Sequence, residues 1–474
     1  MITLGVVLEV LTGRTPPWAD QIIADVGIDS RTLIPGSMFV AMQGESVDGH
    51  DFVSDAFENG ASFALIDRSI DPQIRVIDCR PGSDTDLEQE VDVPFCLQVE
   101  DTLEALQRVA GEWRKRLNLR VIGITGSVGK TTTKELATTV LKQRYRTLKN
   151  SGNLNNEIGL PMTLWRLSEG HQRAVLEMGF YVPGEIDFLS GLAQPAVGVL
   201  TTIGTVHAER AGSQDEIARG KSELVQALPP GPEGVAILNY DDERVRAMAD
   251  LTQARVFYYG LSPEADLWAD EVEGLGLDGI KFRLNYKKDS IYLKVPLIGR
   301  HSVHTVLRAA AVGLVEGLTW DEIGRGLRSE HTQLRLVAVR SSCGALILDD
   351  TYNASPKSML ADLNLLEEMD GRKIAVLGDM LELGRYEHQG HMKVGIRAAE
   401  IADVLITVGE KAKIIARAAA EHGLEQKKIH SFEESAEVIT FLNEFLREND
   451  VVLVKGSRGM RMDKIVTALE VDHE

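Results

Sequence analysis

The sequence is poor in cysteine, and its three cysteines, Cys79, Cys96 and Cys343, form no CxxC pair. An odd number without that spacing argues against both a disulfide framework and a cysteine zinc site, and it fits a reducing cytoplasm. Apolar runs are short, and none approaches the roughly 20 residues that a membrane helix needs. The N-terminal apolar run has no basic region before it. We therefore expect a cytoplasmic protein without a targeting segment or a membrane span.

Positive charge is also scarce, because 51 Lys and Arg residues face 71 Asp and Glu residues, for a formal net charge of −20. That sign excludes a protein that coats nucleic acid or an anionic membrane, so we expect no nucleic-acid partner. Any phosphate site must instead be local and preorganised. The 474 residues are 44% hydrophobic, which is enough for packed cores. At roughly 150 residues per domain, the length suggests about three domains.

The pattern of apolar runs predicts an α/β protein. Short runs separated by Gly, Asp and Pro indicate a small mixed α/β N-terminal domain over 1–112. Residues 113–328 combine a phosphate loop with buried strands at 173–178 and 197–202, which indicates a central parallel-sheet ATPase domain with an antiparallel edge between 257 and 296. Residues 329–474 alternate strands and helices, which is typical of a Rossmann-like doubly wound domain.

A glycine-containing loop follows the strand VIGIT and precedes a helix from about residue 131 to 144. In this context, backbone N–H groups and the helix N-terminus can cradle phosphates. Lys130 would contact the β and γ phosphates, and the hydroxyl of Thr131 would hold Mg²⁺. Ile124 stands where the eight-residue phosphate-loop pattern has its first Gly, and a turn that binds nothing is the structural alternative. The predicted ATP-binding residues of this loop are Gly126, Ser127, Val128, Gly129, Lys130, Thr131 and Thr132.

Several blocks in the right order resemble the Mur ligase family. They are GITGSVGKTTTKE at the loop, LNNEIGLPMTL (154–164), LEMG (176–179), DDTYNASPKSM (349–359), LGDMLELG (377–384), KGSRGMRM (455–462) and, in the first domain, DSR (29–31), PGSMFVAMQGE (35–45) and DGHDF (48–52). The resemblance implies an ATP- and Mg²⁺-dependent amide ligase, and these blocks favour the member that joins D-Ala-D-Ala to UDP-MurNAc-tripeptide, as a monomer. A carboxylate is a poor electrophile, so such a ligase first makes an acyl phosphate.

Five residues are predicted to be catalytic, beginning with Lys130. Glu177 ends the strand RAVLEM, so its carboxylate should emerge where ligands bind in open α/β sheets, as a Mg²⁺ ligand beside Thr131. The resemblance implies that His207 binds a second metal and that Lys221 is carbamylated and helps to hold Mg²⁺. It also implies that Arg335 reaches the γ-phosphate. From the residues alone, a lone His or Lys is more often structural.

The resemblance also implies the residues around the nucleoside. Asp350 would accept the ribose hydroxyls, with Tyr352 and Asn353 shaping the same pocket. In GRHSVHT (299–305), the family usually has G-x-H-N-x-x-N, with both asparagines near the adenine, whereas this chain has Ser302 and Thr305. A hydroxyl cannot offer the paired contact of an amide, so these two positions predict altered adenine recognition.

The remaining predicted residues bind the two peptide substrates. Ser30 and Arg31 resemble positions near the uridine diphosphate, although a surface Arg in a polar turn is the alternative for Arg31. Asn155 and Asn156 resemble positions that contact the diphosphate and the sugar. In the last strand-to-helix loop, the residues that would face the carboxylate of the incoming dipeptide are Lys455, Ser457 and Arg458.

Three other functions stay open. One is a related Mur-type or folylpolyglutamate-type ligase, although the folate enzyme would not be expected to carry the extra first domain. Another is a non-catalytic nucleotide-binding homologue, which the changes at Ser302 and Thr305 keep open. The third is a small-molecule kinase, which would need the phosphate loop but would leave the third domain unexplained.

Overall fold

The computed structural model of the chain describes residues 1–44, 46–83, 87, 89–205, 208–329 and 337–470. The chain divides into two compact units. The first comprises Met1–Gly123, Tyr145–Gly179 and Glu185–Val197, and the second comprises Ile124–Arg144, Phe180–Gly184 and Gly198–Glu474. None of the described helices combines the length and the apolar character that crossing a membrane would require. The boundaries predicted from the sequence stay predictions, and the one at residue 112 falls inside a helix that spans Thr102–Arg116.

The structure is α/β, as the sequence predicts. The described α-helices are α1 (Leu4–Thr12), α2 (Val53–Glu58), α3 (Thr102–Arg116), α4 (Lys130–Leu141), α5 (Gly159–Trp165), α6 (Glu185–Ala193), α7 (Ala208–Ala211), α8 (Gln214–Gln226), α9 (Glu243–Arg246), α10 (Val303–Val315), α11 (Trp320–Leu327), α12 (Pro356–Glu368), α13 (Glu387–Ile401), α14 (Lys413–Glu421), α15 (Ser435–Phe445) and α16 (Asp463–Leu469).

The described strands are interspersed with these helices along the chain. They are β1 (Val26–Gly27), β2 (Ser37–Val40), β3 (Ala61–Ile66), β4 (Val76–Asp78), β5 (Phe95–Gln98), β6 (Arg120–Thr125), β7 (Thr147–Lys149), β8 (Arg173–Glu177), β9 (Val197–Leu200), β10 (Val235–Asn239), β11 (Arg255–Gly260), β12 (Leu267–Gly274), β13 (Ile280–Tyr286), β14 (Asp289–Val295), β15 (Val337–Arg340), β16 (Leu346–Asp350), β17 (Arg372–Gly378), β18 (Val404–Val408), β19 (Ile429–Phe432) and β20 (Asp450–Lys455).

The first unit contains a five-stranded sheet in the order β1-β2-β3-β5-β4. Its strands pair in parallel. On one face, Phe39, Ala64 and Cys96 pack against Val53 and Ala56 of α2. The same unit also contains β7 and β8, which pair in parallel. The five-stranded sheet with α2 agrees with the small mixed α/β domain predicted for the start of the chain, whereas β7 and β8 lie within the range predicted for the central domain.

The second unit begins its sheet with β9 and continues in the order β9-β10-β11-β12-β13-β14. The pairs β10 with β11 and β11 with β12 are parallel. The strands β12, β13 and β14 pair antiparallel with one another, which confirms the antiparallel edge predicted from the alternation between 257 and 296. Helix α10 packs against α4, the helix that begins at the phosphate loop.

The C-terminal sheet of the second unit has the order β15-β16-β20-β17-β18-β19. Only β15 pairs antiparallel among its described strands, and the other pairs are parallel. Along β17, Ala375 and Leu377 face the core formed with α12, α13 and α14. The alternate residues Ile374 and Val376 face the core formed with α15 and α16. Helices therefore cover both faces, and the doubly wound prediction is confirmed.

Candidate active site

The loop between β6 and α4 is held in a conformation that only glycine adopts without strain. Gly126 has φ +142° and Gly129 has φ +83°. A Cβ at Gly126 would lie 1.8 Å from Thr201 Oγ1, so a side chain there would displace the loop. The backbone N–H of Ser127 donates to Thr202 O at 2.8 Å. This anchoring leaves the first N–H groups of α4 directed out of the helix, where an anion can accept from them.

The first turn of α4 carries the side chains predicted to contact the phosphates. Lys130 Nζ donates to Gly126 O at 2.9 Å, so the lysine spans its own loop. Thr131 and Thr132 follow in the same turn and are partly exposed. Ser127 Oγ accepts from the backbone N–H of Gly204 at 2.8 Å. Lys130 therefore already lies over the loop that would hold the phosphates.

A cavity of about 690 Å³ in the second unit joins this loop to the carboxyl ends of the C-terminal strands. Its wall contains nine residues of the predicted site. They are Ser127, Val128, Gly129, Thr132, Ser302, Thr305, Asp350, Asn353 and Lys455. A volume of this size suits a ligand as large as a nucleotide. The structure thus brings together residues that are up to 328 positions apart in the sequence.

The two hydroxyl residues that replace the family's asparagines both line the cavity, and both hydroxyls are engaged within the protein. Ser302 Oγ donates to Ile298 O at 2.8 Å, four residues earlier in the chain. Thr305 Oγ1 accepts from Arg308 Nη2 at 2.8 Å. Neither side chain therefore presents a paired donor and acceptor of the kind that an amide would offer to adenine.

A buried ionic cluster forms the C-terminal wall of the cavity. Lys455 Nζ donates to Asp350 and lies 2.8 Å from Asp362 Oδ2. Burial alone would lower the pKa of Lys455, but the two carboxylates outweigh it and raise that pKa. Burial raises the pKa of Asp362 to about 7. One ammonium between two carboxylates thus leaves the cluster with a tendency to hold an extra proton.

A second polar group lies elsewhere on the cavity wall. His304 Nε2 is 2.9 Å from Asp241 Oδ2, which also accepts from the backbone N–H of Leu261 at 2.8 Å. Burial opposes ionisation of Asp241, but these hydrogen bonds prevail and lower its pKa. His301 also lines the cavity, and the surrounding protein atoms lower the pKa of its imidazole. We therefore expect an anionic Asp241 and a neutral His301 at pH 7.

In the first unit, Glu177 ends β8 with its side chain buried. Asn150 holds its backbone from both sides, accepting from Glu177 N at 2.9 Å and donating to Glu177 O at 3.0 Å. Asn155 Nδ2 donates to Glu177 Oε1 at 3.1 Å. The other carboxylate oxygen, Oε2, is buried and has no hydrogen-bond partner among the described residues. An oxygen of this kind suits a hard divalent cation such as Mg²⁺.

Of the three remaining residues predicted to bind metal or take part in catalysis, the structure describes only Lys221. Lys221 lies on α8, is 1% exposed, and places Nζ 4.5 Å from the centroid of the Phe180 ring. Its predicted carbamylation stays a prediction. His207 and Arg335 lie outside the described residues.

Three of the residues predicted to bind the UDP-sugar take part in local hydrogen bonds of the first unit. Arg31 is exposed and forms an ion pair with Asp29 at 2.8 Å, two positions earlier, while Ser30 between them is buried. Asn156 Oδ1 accepts from the backbone N–H of Gly159 at 2.9 Å, at the start of α5. Asn155 supports Glu177, as described above. Their substrate roles stay predictions.

Residues predicted near the nucleoside follow β16, and those predicted near the dipeptide lie at the end of β20 and just after it. Asn353 Oδ1 accepts from the backbone N–H of Ala354 at 2.9 Å. Ser457 is buried, and its Oγ accepts from the backbone N–H of Leu381 at 2.8 Å. Arg458 is exposed and lies 5.7 Å above the ring of Tyr352. Among the cations of this loop, Arg458 is therefore more accessible than the buried Lys455.

Several residues that line or support the site were not predicted from the sequence. Asp362 follows the block DDTYNASPKSM by three positions, so the helical pattern could have indicated that it faces the same side as Met359. The sequence does not reveal the contacts of Asn150 with Glu177 and of Arg308 with Thr133, because these partners are 27 and 175 positions away. Only the tertiary structure reveals contacts at such separations.

Comparison with known proteins gives a consistent result. Residues 22–114 match the Mur ligase family catalytic domain, residues 124–313 the Mur ligase middle domain, and residues 334–458 the Mur ligase glutamate ligase domain. The chain is 34% identical over 475 residues to the UDP-N-acetylmuramoyl-tripeptide--D-alanyl-D-alanine ligase of Bacillus subtilis, with 98% of both chains covered.

Solved structures agree with these matches. MurF from Acinetobacter baumannii superposes with a TM-score of 0.83 at 32% identity, covering 98% of both chains. The MurF ligase from Thermotoga maritima in complex with ADP has a TM-score of 0.77 at 27% identity, covering 94% of this chain and 96% of that one. With domain matches along most of its length and a relative 34% identical over 98% of it, the chain belongs to the Mur ligase family.

Proposed function

We propose that this protein is an ATP-dependent ligase that joins D-Ala-D-Ala to UDP-MurNAc-tripeptide, for peptidoglycan precursor synthesis. The cavity that runs from the phosphate loop to Asp350 and Lys455 carries the proposal. The name of the Bacillus subtilis relative, which is similar over the full length, supports this choice of substrates. The changes at Ser302 and Thr305 affect one wall of that cavity and leave the phosphate loop intact.

The reaction proceeds in two displacements. A terminal carboxylate oxygen of the tripeptide attacks the γ-phosphorus of ATP, ADP leaves, and an acyl phosphate forms. The amine of D-Ala-D-Ala then attacks the acyl carbon, inorganic phosphate leaves, and the nitrogen loses a proton. Lys130 and the N–H groups of the loop stabilise the charge that moves between the phosphate oxygens in the first step. Arg335 is proposed to do the same at the γ-phosphate.

Mg²⁺ is the metal that we propose for this reaction, and it would neutralise charge on the phosphate oxygens. Thr131 and Glu177 are each proposed as ligands, and the unpartnered Oε2 of Glu177 supports its assignment. His207 is proposed as a ligand for a second metal. A carbamate on Lys221 would convert a buried cation into an anion that can help to hold Mg²⁺, and its position under the Phe180 ring keeps it out of bulk water.

The substrate residues are proposed with the following roles. Arg31 would exchange its exposed, bidentate ion pair with Asp29 for a contact to the diphosphate, whose oxygens the same fork of N–H donors matches. Asp350 would accept from the ribose hydroxyls while Lys455 holds it in place. The exposed Arg458 would bind the carboxylate of the dipeptide, beside Tyr352.

We also propose that the protein acts in the cytoplasm, as a monomer. Its described cysteines are free thiols, two of them buried, which supports a reducing compartment. Size-exclusion chromatography with light scattering would test the monomer, because a mass well above 52.1 kDa would contradict it.

The test of the function is phosphate release from ATP with Mg²⁺, UDP-MurNAc-tripeptide and D-Ala-D-Ala, with each component omitted in turn. We expect release only with the complete set, and a loss of about 100-fold or more in Lys130→Ala. Release without the peptides would indicate a simple ATPase. No release with any nucleotide would indicate a non-catalytic homologue or a kinase, because a kinase transfers the phosphoryl group to its own acceptor without releasing phosphate. Release with other amino acids in place of the dipeptide would indicate a different ligase of this family.

A further inference from the structure

A buried arginine lies beside the phosphate loop without a carboxylate to neutralise it among the described residues. Arg308 is on α10, is 3% exposed, and contributes to the wall of the cavity. A Cβ at Gly129 would lie 2.8 Å from Arg308 Nη2, so the guanidinium packs against the residue that caps α4. Across the part of the chain that the structure describes, no carboxylate forms an ion pair with Arg308.

Every hydrogen bond that Arg308 makes within the described residues goes to a hydroxyl. Its Nε donates to Thr133 Oγ1 at 2.7 Å, its Nη2 to Thr305 Oγ1 at 2.8 Å, and its Nη1 to the Tyr259 hydroxyl at 3.4 Å. Burial raises the pKa of Tyr259 to about 12, so this partner is neutral at pH 7. These three bonds fix the guanidinium plane and use three of its five N–H groups.

Another buried arginine of this chain shows what a purely structural role looks like. Arg114 donates to the carbonyl oxygens of Ala193, Leu117 and Leu119 at 2.9 to 3.2 Å, so its fork is spread over backbone acceptors. Each of these bonds holds a carbonyl oxygen that cannot turn away from the guanidinium without moving the backbone. Arg308, by contrast, binds side chains that could each find another partner, and it faces a cavity.

We propose that Arg308 binds the polyphosphate of the nucleotide and that Thr305 positions its guanidinium for that contact. A buried cation without a counter-charge is costly, and a phosphate group beside Gly129 would supply the missing charge. The fork of a guanidinium matches phosphate oxygens better than an ammonium does. The inference rests on the proposed function in one respect, since it takes the cavity to be the ATP site.

The test compares binding of ADP with Mg²⁺, without peptide substrates, to the full-length wild type and to Arg308→Met by calorimetry. We expect the affinity for ADP to fall about 10- to 100-fold in the variant. The thermal midpoint of the ligand-free protein should stay the same or rise, because methionine replaces a buried charge at similar volume. Arg308→Lys keeps the charge without the fork and should give an intermediate affinity.

Arg114→Met is the matched control. It should lower the thermal midpoint, because it removes three buried hydrogen bonds to backbone carbonyls, and it should leave the ADP affinity of the folded protein unchanged. If Arg308→Met instead lowered the midpoint and left ADP affinity unchanged, Arg308 would be structural and the inference would be overturned.

Competition with adenosine and GDP separates the phosphate from the base. A phosphate contact predicts that Arg308→Met binds adenosine as the wild type does and keeps the ratio of ADP to GDP affinity. A weaker adenosine complex with an altered ratio would assign Arg308 to the base and overturn the proposal. Absence of ADP binding to the wild type would overturn the proposed function and this inference together, whereas equal ADP binding by both proteins would overturn the inference alone.

Discussion

At the scale of single residues, two buried carboxylates show how the same side-chain burial can serve different ends. Glu177 and Asp450 are each 2% exposed. Both oxygens of Asp450 accept from Arg372, at 2.7 and 2.6 Å. Glu177 instead accepts from Asn155 at one oxygen and leaves the other unpartnered among the described residues. An unpartnered buried oxygen costs free energy, and this cost is the observation that supports the proposed role of Glu177 as a Mg²⁺ ligand.

We predict that Glu177→Gln raises the Mg²⁺ concentration for half-maximal phosphate release by about 10-fold or more, because one ligand loses its charge. The free energy of unfolding of the metal-free protein should change by less than about 1 kcal/mol. Asp450→Asn, the control, should lose about 1–3 kcal/mol of stability and keep the Mg²⁺ dependence. An unchanged Mg²⁺ titration in Glu177→Gln would exclude Glu177 as a ligand.

The carboxyl of Asp362 should make the stability of the protein depend on pH. Its pKa is raised to about 7 by burial, above the usual 3.8 of an unfolded Asp. The folded chain therefore holds a proton that the unfolded chain has lost, and this group destabilises the fold as pH rises from about 4 to about 7. Asp362→Asn should remove that dependence. The free energy of unfolding, measured with urea, should rise in the variant relative to the wild type by about 1–3 kcal/mol from pH 5 to pH 8.

Asp29→Asn is the control for this pH series. The pKa of Asp29 is lowered to about 2, chiefly by its hydrogen bond with Arg31, so its carboxyl is ionised throughout the range. Its stability difference from the wild type should therefore be the same at pH 5 and pH 8. The same shift in both variants would show that the effect does not come from Asp362.

At the scale of elements, the conformation of the phosphate loop depends on the close approach of the backbone between β6 and α4 to the residues that follow β9. Gly126→Ala would combine an unfavourable φ with a Cβ 1.8 Å from Thr201 Oγ1. We expect it to lower the free energy of unfolding by about 2–3 kcal/mol and to weaken ADP binding by about 100-fold, because the loop must move. Calorimetry and chemical unfolding measure the two effects.

Gly13→Ala separates strain from displacement. Gly13 follows α1 with φ +75°, and no described atom lies within 4 Å of the place that a Cβ would take, so alanine there meets strain alone. Gly13→Ala should lower the free energy of unfolding by about 1 kcal/mol and leave ADP binding unchanged. If Gly126→Ala and Gly13→Ala lowered the free energy of unfolding equally, the contact with Thr201 would not be what holds the loop.

Sequence patterns predict elements of this fold well where a single periodicity decides them. The antiparallel run of β12 to β14 is visible as apolar residues at every second position. Strand β17 is visible as the continuous apolar run IAVL, because both of its faces are buried. The phosphate loop is visible in the sequence because Gly126, Gly129 and Lys130 lie close together in the chain. Arg308 and the Asp362–Lys455 pair are not visible, because their partners are brought together by packing of distant elements.

The family resemblance adds positions that physical reasoning alone would leave as ordinary residues, but it does not show their surroundings. It places Thr305 near the adenine, whereas the structure directs the Thr305 hydroxyl to Arg308. It assigns Lys455 to the dipeptide, whereas the structure buries that ammonium between Asp350 and Asp362. A motif fixes which residue stands at a position, and its hydrogen bonds depend on neighbours that the motif does not include.

At the scale of the whole molecule, a net charge of −20 sets how substrates approach. ATP and a UDP-linked precursor are both anions, so the distant field of the protein repels them while the phosphate loop attracts them at contact. Salt screens the distant repulsion first, because the Debye length is about 8 Å at 0.15 M ionic strength. Contacts inside the cavity are screened much less.

We therefore predict that kcat/KM for ATP rises about 1.5- to 3-fold between about 20 and 150 mM KCl, at fixed free Mg²⁺. The kcat/KM for D-Ala-D-Ala, a zwitterion without net charge, should stay constant over the same range and serves as the internal control. A protein whose substrates are guided by a basic surface would show the opposite slope. A fall of several-fold for ATP alone would mean that the cations of the cavity, rather than the acidic surface, dominate the approach of the nucleotide.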